Sequence, residues 1–413
     1  MNFFDELNKR GIVSNFTNLE KVKKFFHDKN KVVYVGFDPS ANSLHLGNYV
    51  MISLLRRLVD NGFKVIALVG GATGMIGDPS GKNSERNLLD SETIKSNIFY
   101  IKKQLEKYSG AEIFDNYSIY ADMNILDFLR NIGKYININH VLEREIVKKR
   151  LETGISYTEF SYSIIQGYDF YWLYKNKDVC LQMGGSDQWA NITAGVDYIR
   201  RVEGDDNEAC GITINLLTKS DGAKFGKSEK GAIFLDKNLT STYEFYQFLI
   251  NQSDADIEKL LNFFSFKSLE EISDLVKKHF LDPKLRLAQN ELANELVIRV
   301  HGNDELLRVK KISKAFFDND IASLSFEDVK LAFSNKDQFI EIDKEIDIVS
   351  LLIDSNISKS KREARELIGS SSIYINEKLV NDENFLVKKS DSYGNKFSLI
   401  RKGKKNYFLV IWK

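Results

Sequence analysis

Residues 31–38, KVVYVGFD, form a short apolar run rich in β-branched side chains that ends in a turn. The segment after it, HLGNYVMISLLRRLVDNG, places Leu46, Val50, Leu54, Leu55 and Leu58 at helical spacing, and Asn61-Gly62 supplies the stop. FKVIALVG at 63–70 is then a continuous apolar run, the pattern of a strand buried on both faces. Strand, helix and strand so closely spaced predict a right-handed βαβ unit. Later strands are predicted at 116–121 (NYSIYA), 178–183 (DVCLQM) and 210–217 (CGITINLL), with helical patterns between them. Residues 1–220 therefore predict an α/β catalytic domain built on a Rossmann-like, doubly wound parallel sheet.

The pattern changes further on. Residues 221–235 are a loop rich in glycine and lysine. Over 236–340 the segments TYEFYQFLINQ, DIEKLLNFF, ELANELVIRVHG and FEDVKLAFSN are helical in period and no strand stands out, which predicts an α-helical domain. Residues 345–413 begin with two short helical patterns. SSIYINEKLV and KFSLIRKGKKNYFLVIWK follow, the last reading as a hairpin turning at Lys402-Gly403-Lys404, so a small α+β domain is expected.

Composition narrows the function classes. With 413 residues, 43% hydrophobic and 28% charged, the chain is of ordinary globular type and long enough for several cores. Cys180 and Cys210 stand too far apart in sequence for a disulfide framework or a CxxC metal site, so a reducing, cytoplasmic setting is expected. No apolar run approaches the roughly 20 residues of a membrane span, and MNFFDELNKR lacks a signal-type apolar core. The 58 Lys/Arg balance 58 Asp/Glu, yet residues 351–413 hold thirteen basic and seven acidic side chains. A net of +6 at that end, against −6 before it, suggests an anion-seeking module.

Five constellations carry chemistry. Tyr34 to Asn48 runs from a strand end through Gly36, Asp38-Pro39 and Ser40 to His45-Leu46-Gly47-Asn48 in the first turn of a helix, where free N–H groups favour phosphate. An ordinary capped turn would read the same way. Gly70 to Lys82 is a glycine-rich loop at the end of the second strand, where open α/β sheets bind ligands. It fails the P-loop pattern at Ile76 and Asn83 and the dinucleotide pattern at Ala72, leaving Asp78 for an amine and Lys82 and Arg86 for phosphate. Tyr162, Gln166 and Asp169 share one helix face among apolar and aromatic neighbours, so either protein groups or a polar ligand must satisfy them. Gly184-Gly185-Ser186-Asp187-Gln188-Trp189 leads from a strand into a helix, and Asp187 suits a ribose hydroxyl or a simple N-cap. Asp221 to Gly231 carries Lys224, Lys227 and Lys230 between glycines, which fits a solvated charged loop or a cationic lid over a polyphosphate.

Taken in order, these segments resemble a known family. An HxGH-like turn (His45-Leu46-Gly47-Asn48) followed far downstream by a KMSKS-like loop (Lys224-Phe225-Gly226-Lys227-Ser228) is similar to class I aminoacyl-tRNA synthetases. Tyr34 with Asp38-Pro39, Gly77-Asp78-Pro79-Ser80-Gly81-Lys82, the Tyr162/Gln166/Asp169 helix and Gly-Gly-Ser-Asp-Gln-Trp narrow the resemblance to the bacterial-type tyrosyl-tRNA synthetases. It covers essentially the whole chain, because 345–413 resembles the ribosomal-protein-type RNA-binding domain of that family.

The resemblance implies a two-step reaction on L-tyrosine, ATP and tRNA(Tyr), with Mg²⁺ accompanying ATP, no tightly bound cofactor, and a homodimer. By matching positions, Tyr34 and Asp169 would meet the tyrosine phenol, while Asp78, Tyr162 and Gln166, with Gln188 nearby, would meet its ammonium. Gly36, Asp38, Ser40, Gly47, Asn48, Gly185, Asp187 and Lys227 would surround ATP. His45, Lys82, Arg86, Lys224 and Lys227 would stabilise phosphate charge during adenylate formation. Residues 236–340 would bind the anticodon arm. Lys361, Arg362 and Arg365 at helical spacing would meet RNA. Three positions depart from the family pattern: Asn48 replaces a histidine, Ser40 stands where threonine is common, and Val35 where cysteine is common. An amide at 48 can still bond a ribose or phosphate oxygen. Two other readings are an RNA-binding protein on a retired synthetase scaffold and a small-molecule nucleotidyltransferase. The first is opposed by the catalytic set, complete apart from Asn48. The second leaves the second lysine loop, the helical block and the basic end unexplained.

Overall fold

A computed structural model describes residues 2–80, 89–142, 147–148, 150–151, 154–228, 231–333, 338–403 and 406–413. They form two compact units, the first of residues 1–235 and 252–292, the second of residues 236–251 and 293–413. These boundaries differ from those at which the hydrophobic pattern changes, because residues 252–292 belong with the first unit.

The first unit is built on a six-stranded sheet ordered β1-β6-β5-β2-β3-β4. Its strands are β1 (Val13–Phe16), β2 (Val32–Phe37), β3 (Lys64–Val69), β4 (Glu112–Asp115), β5 (Val179–Gly185) and β6 (Cys210–Ile214). β1 runs antiparallel to β6 at the edge; the other pairings are parallel. The central strands are buried almost throughout, as the continuous apolar runs require. The chain order reverses between β2 and β5, which puts a crevice beyond the carboxyl ends of those two strands.

One predicted strand is corrected. Residues 116–121 are not a strand: β4 ends at Asp115, and Tyr117–Tyr120 is a short helix. The cause is local. Oδ1 of Asp115 accepts the Tyr117 N–H at 3.0 Å, while the Asn116 side chain takes the Ala72 N–H at 2.8 Å, so the backbone turns out of the sheet.

The helix after β2, Leu46–Asp60, buries Leu46, Ile52, Leu54, Leu55 and Leu58. Its outer side is braced by the helix Ile257–Phe264 and the turn after it. Arg57 donates to the Ser265 carbonyl, Arg10 donates to the Lys267 carbonyl at 2.6 Å, and the Tyr49 and Phe264 rings stack at 6.3 Å. After β6 a small hairpin, β7 (Lys227–Ser228) with β8 (Gly231–Ala232), ends the lysine loop.

The second unit holds helices Thr242–Ile250, Asn303–Asp318 and Phe326–Ala332, and then an α+β end. There the strands are β9 (Phe339–Ile342), β10 (Ile346–Asp347), β11 (Ile373–Ile375), β12 (Lys378–Leu379), β13 (Leu386–Val387), β14 (Phe397–Lys402) and β15 (Asn406–Trp412). Five of them form a sheet ordered β12-β11-β14-β15-β9, and the β14–β15 pair is the predicted hairpin. The helix Lys361–Gly369 buries Ala364 and Ile368 and turns its charges outward. No helix among the described residues is long and apolar enough to cross a membrane.

Candidate active site

The described residues singled out from the five constellations as site candidates come together in one cleft of about 480 Å³ at the carboxyl ends of β2 and β5, within the first unit. Tyr34, Gly36, Asp38, Ser40, His45, Gly47, Asn48, Asp78, Tyr162, Gln166, Asp169, Gly185, Asp187, Gln188, Lys224 and Lys227 all line it. Lys82 and Arg86 lie outside the described residues.

At the floor, β2 supplies Tyr34 and the helix Tyr157–Lys177 supplies Asp169, each 1% exposed. The Tyr34 hydroxyl has no hydrogen-bond partner among the described residues. Burial and the Asp169 charge hold that phenol well above its usual range, so it stays neutral. Each oxygen of Asp169 has one protein partner among the described residues: Oδ2 accepts from Nδ2 of Asn116 at 2.9 Å, and Oδ1 lies 2.7 Å from the Tyr120 hydroxyl. Burial raises this carboxyl to about 7, against the lowering effect of those two hydrogen bonds. A buried hydroxyl without a partner beside a buried carboxylate makes a polar end that a phenol hydroxyl, donor and acceptor at once, would complete.

A second polar group sits on the near side. Asp38 takes the Tyr162 hydroxyl on Oδ2 at 2.8 Å and the Thr73 hydroxyl on Oδ1 at 2.7 Å. Asp78 accepts from Nε2 of Gln188 at 2.7 Å and from the Ser80 N–H at 2.9 Å. Asn191 ties Gln188 to Ser80, donating to Oε1 of Gln188 at 3.0 Å and to the Ser80 hydroxyl at 3.2 Å. Gln166 also lines the cleft, and its Oε1 is buried with no partner among the described residues. The Asp78 carboxylate and an unsatisfied carbonyl oxygen suit an ammonium group.

The mouth is the HxGN turn. His45 is the N-cap of Leu46–Asp60, and its Nδ1 accepts the Asn48 N–H at 3.2 Å while Oδ1 of Asn48 accepts the His45 N–H at 3.1 Å. Accepting at Nδ1 leaves the ring proton on Nε2. Burial, with Lys227 nearby, lowers the His45 pKa and favours that neutral form. The lysine loop is held to this turn by its backbone: the Leu46 N–H donates to the Ile233 carbonyl at 2.7 Å and the Ile233 N–H to that of Gly226 at 2.9 Å. Gly226 has φ +86°, and a side chain there would run into the backbone of Gly47. Asp187 faces the same space; burial and Asp78 raise its pKa, and Lys224 opposes them.

Sequence reasoning missed Thr73, Asn116, Tyr120 and Asn191, which bond the acids of the cleft or the amide beside them. Thr73 lies inside the glycine-rich stretch but carried no role of its own, and Asn116, Tyr120 and Asn191 are lone polar residues that the motifs did not reach.

A doubly wound sheet with an HxGN turn, a lysine loop and an acid-lined cleft at its switch point defines a class I tRNA synthetase. The family described as "tRNA synthetases class I (W and Y)" matches residues 27–318, and "Tyrosine--tRNA ligase SYY-like C-terminal domain" matches residues 328–410. Within that class the chain belongs to the tyrosine–tRNA ligase family. It is 55% identical to the tyrosine–tRNA ligase of Ureaplasma parvum, over 98% of both chains. It is also 45% identical to that of Listeria monocytogenes over the full length of each. A C-terminally truncated mitochondrial tyrosyl-tRNA synthetase of Aspergillus nidulans superposes with a TM-score of 0.70 at 31% identity, over 76% of this chain and 94% of that one.

Proposed function

We propose that the cleft joins L-tyrosine to ATP and that the tyrosyl group then passes to the 3′ end of tRNA(Tyr). The observation that carries this reading is the polar floor, where the Tyr34 hydroxyl lacks a partner among the described residues beside Asp169. In the first step a tyrosine carboxylate oxygen attacks the α-phosphorus, and the bond to the β-phosphate oxygen breaks with its electron pair, releasing pyrophosphate. The nucleophile is already an anion, so no base is required. Positioning and charge stabilisation remain, which suits His45, Lys224 and Lys227 at the mouth, with Lys82 and Arg86 in the same role. In the second step the terminal ribose hydroxyl attacks the tyrosyl carbonyl, AMP leaves, and the hydroxyl proton is lost. ATP enters as its magnesium complex, the ion being held by the phosphates.

The tyrosine ammonium is assigned to Asp78, Tyr162, Gln166 and Gln188. The nucleotide is assigned to Gly36, Asp38, Ser40, Gly47, Asn48, Gly185, Asp187 and Lys227. Residues 221–235 act as a lid, 236–340 meet the anticodon arm, and 345–413 bind RNA through Lys361, Arg362 and Arg365. All three cations lie on the outer face of Lys361–Gly369; Arg362 pairs with Glu366 at 2.9 Å and Arg365 with Glu383 at 3.0 Å. Such exposed pairs are weak and exchange readily for phosphate.

A homodimer is part of the reading. Ile125, Leu126, Leu129 and Ile138 are large apolar side chains on the surface of the first unit, Leu126 being 72% exposed, and a second copy would cover them. The setting is the cytoplasm, in keeping with two buried free thiols, Cys180 and Cys210, raised by burial to about 11 and about 12 and thus unreactive. Charging of tRNA(Tyr) with labelled tyrosine tests the whole reaction. Acid-stable label on the tRNA that requires ATP supports it; ATP-dependent label from another amino acid in place of tyrosine overturns it.

A further inference from the structure

Tyr120 belongs to none of the motifs, yet its hydroxyl oxygen lies 2.7 Å from Oδ1 of Asp169 and 2.9 Å from the carbonyl oxygen of Ile165. Asn116 holds the other carboxylate oxygen at 2.9 Å. The two residues stand one helical turn apart at the Tyr117–Tyr120 helix, so a single short element grips both oxygens of the acid. Each oxygen keeps further acceptor capacity, and Asp169 lines the cleft.

One hydroxyl carries one proton, so Tyr120 cannot serve both acceptors fully. With Asp169 ionised, the proton goes to the carboxylate, the stronger acceptor. With Asp169 protonated, the acid can donate to Tyr120 and the Tyr120 proton turns to Ile165. The hydroxyl fits both states, and its donation favours the charged one.

We propose that Tyr120 is a positioning residue for amino acid specificity: its hydroxyl keeps Asp169 ionised and aimed at the substrate, so that the carboxylate accepts a hydrogen bond from the phenol of tyrosine and is left unpaired by phenylalanine. The proposal rests on the reading of the cleft as a tyrosine site. A buried carboxylate facing an unsubstituted phenyl ring is costly, whereas a buried neutral carboxyl tolerates it much better. Discrimination therefore depends on the charge state of Asp169. The groups facing it are Tyr34 and Asp38 from β2 and the turn after it, Asn116 and Tyr120 from the short helix and its cap, and Tyr162 from its own helix. No cation among the described residues offsets its burial, so the donors Asn116 and Tyr120 are what oppose protonation.

The test is pyrophosphate exchange with tyrosine and with phenylalanine across the neutral pH range, for the wild type, Tyr120→Phe and Tyr120→Leu. In the wild type the tyrosine KM should rise as pH falls through about 7, as Asp169 gains its proton. In Tyr120→Phe that midpoint should move to higher pH, and the tyrosine-over-phenylalanine ratio of kcat/KM should fall roughly tenfold, mostly through the tyrosine KM. Tyr120→Leu should show the same loss of ratio. An unmoved midpoint with a ratio unchanged within about twofold overturns the proposal, as does a ratio kept by Tyr120→Phe and lost only in Tyr120→Leu, which would assign the position to packing. A wild type without tyrosine-dependent exchange would overturn the tyrosine-site reading itself, and the wild-type curve reports that separately.

Discussion

His45 and Asn48 cap the same helix reciprocally, each side chain accepting the other residue's backbone N–H. The cap orients the imidazole with Nε2–H free for a phosphate oxygen. Asn48 thus supports His45 as well as lining the cleft. Asn48→Ala should lower stability by about 1 kcal/mol, the usual loss for a capping side chain. It should also slow adenylate formation and raise the ATP KM, with the tyrosine KM nearly unchanged. Thermal unfolding and pyrophosphate exchange check the two parts.

Asp169→Asn separates stability from recognition. The folded carboxyl sits at about 7, above its ordinary value of 3.8. A raised acid pKa means the proton favours the fold: that contribution is full below the unfolded value and is lost as pH rises through about 7. The ionised acid is therefore a burden on the empty protein at pH 8. Asparagine removes it, with Nδ2 donating to Tyr120 and Tyr120 donating to Ile165. Melting at pH 8 should rise in the variant, by up to about 4 kcal/mol of stability, while tyrosine selectivity falls. Equal melting of the two proteins across pH 5 to 8 would contradict the burial argument.

Gln188 and Asp78 are joined at 2.7 Å in the pocket assigned to the ammonium. Asp78→Asn keeps the shape and removes the charge. The tyrosine KM should rise roughly tenfold to a hundredfold, with the ATP KM within about twofold of the wild type. Steady-state exchange kinetics read both constants.

Lys227 lines the mouth beside His45 and lies far from the polar floor in role. Lys227→Ala should slow adenylate formation with little change in tyrosine affinity, since a transition-state contact alters kcat rather than ground-state binding. Single-turnover formation of adenylate, followed at saturating tyrosine, provides the check.

Replacing Lys361, Arg362 and Arg365 together with alanine should spare pyrophosphate exchange and weaken tRNA charging. The log–log dependence of tRNA binding on salt should flatten by about one unit for each phosphate that is no longer neutralised. Unchanged salt dependence would remove this helix from the RNA surface.

Much of the site was legible because each motif sits where a strand gives way to a helix or a loop. Tyr34 to Asn48 and Gly184 to Trp189 carry their glycines and polar residues in one stretch, and helical spacing put Tyr162, Gln166 and Asp169 on one face. The residues behind them were hidden for physical reasons. NYSIYA alternates polar and apolar residues like a strand, and only the Asp115 and Asn116 side-chain bonds, made to the backbone across a turn, bend it into a helix. Tyr120 and Asn116 therefore gave no sign that they meet Asp169 from a different element. Periodicity likewise recognised the helix in DIEKLLNFF without saying what it braces, since that depends on Arg10 and Arg57 reaching carbonyls just after it from far away in sequence.

The central claim is tested most directly by exchange of labelled pyrophosphate into ATP with each amino acid in turn. The cleft predicts exchange that requires L-tyrosine, with phenylalanine far weaker and tryptophan inactive, because only tyrosine brings a hydroxyl to Tyr34 and Asp169. Exchange without an amino acid, or equal exchange with phenylalanine, would contradict it.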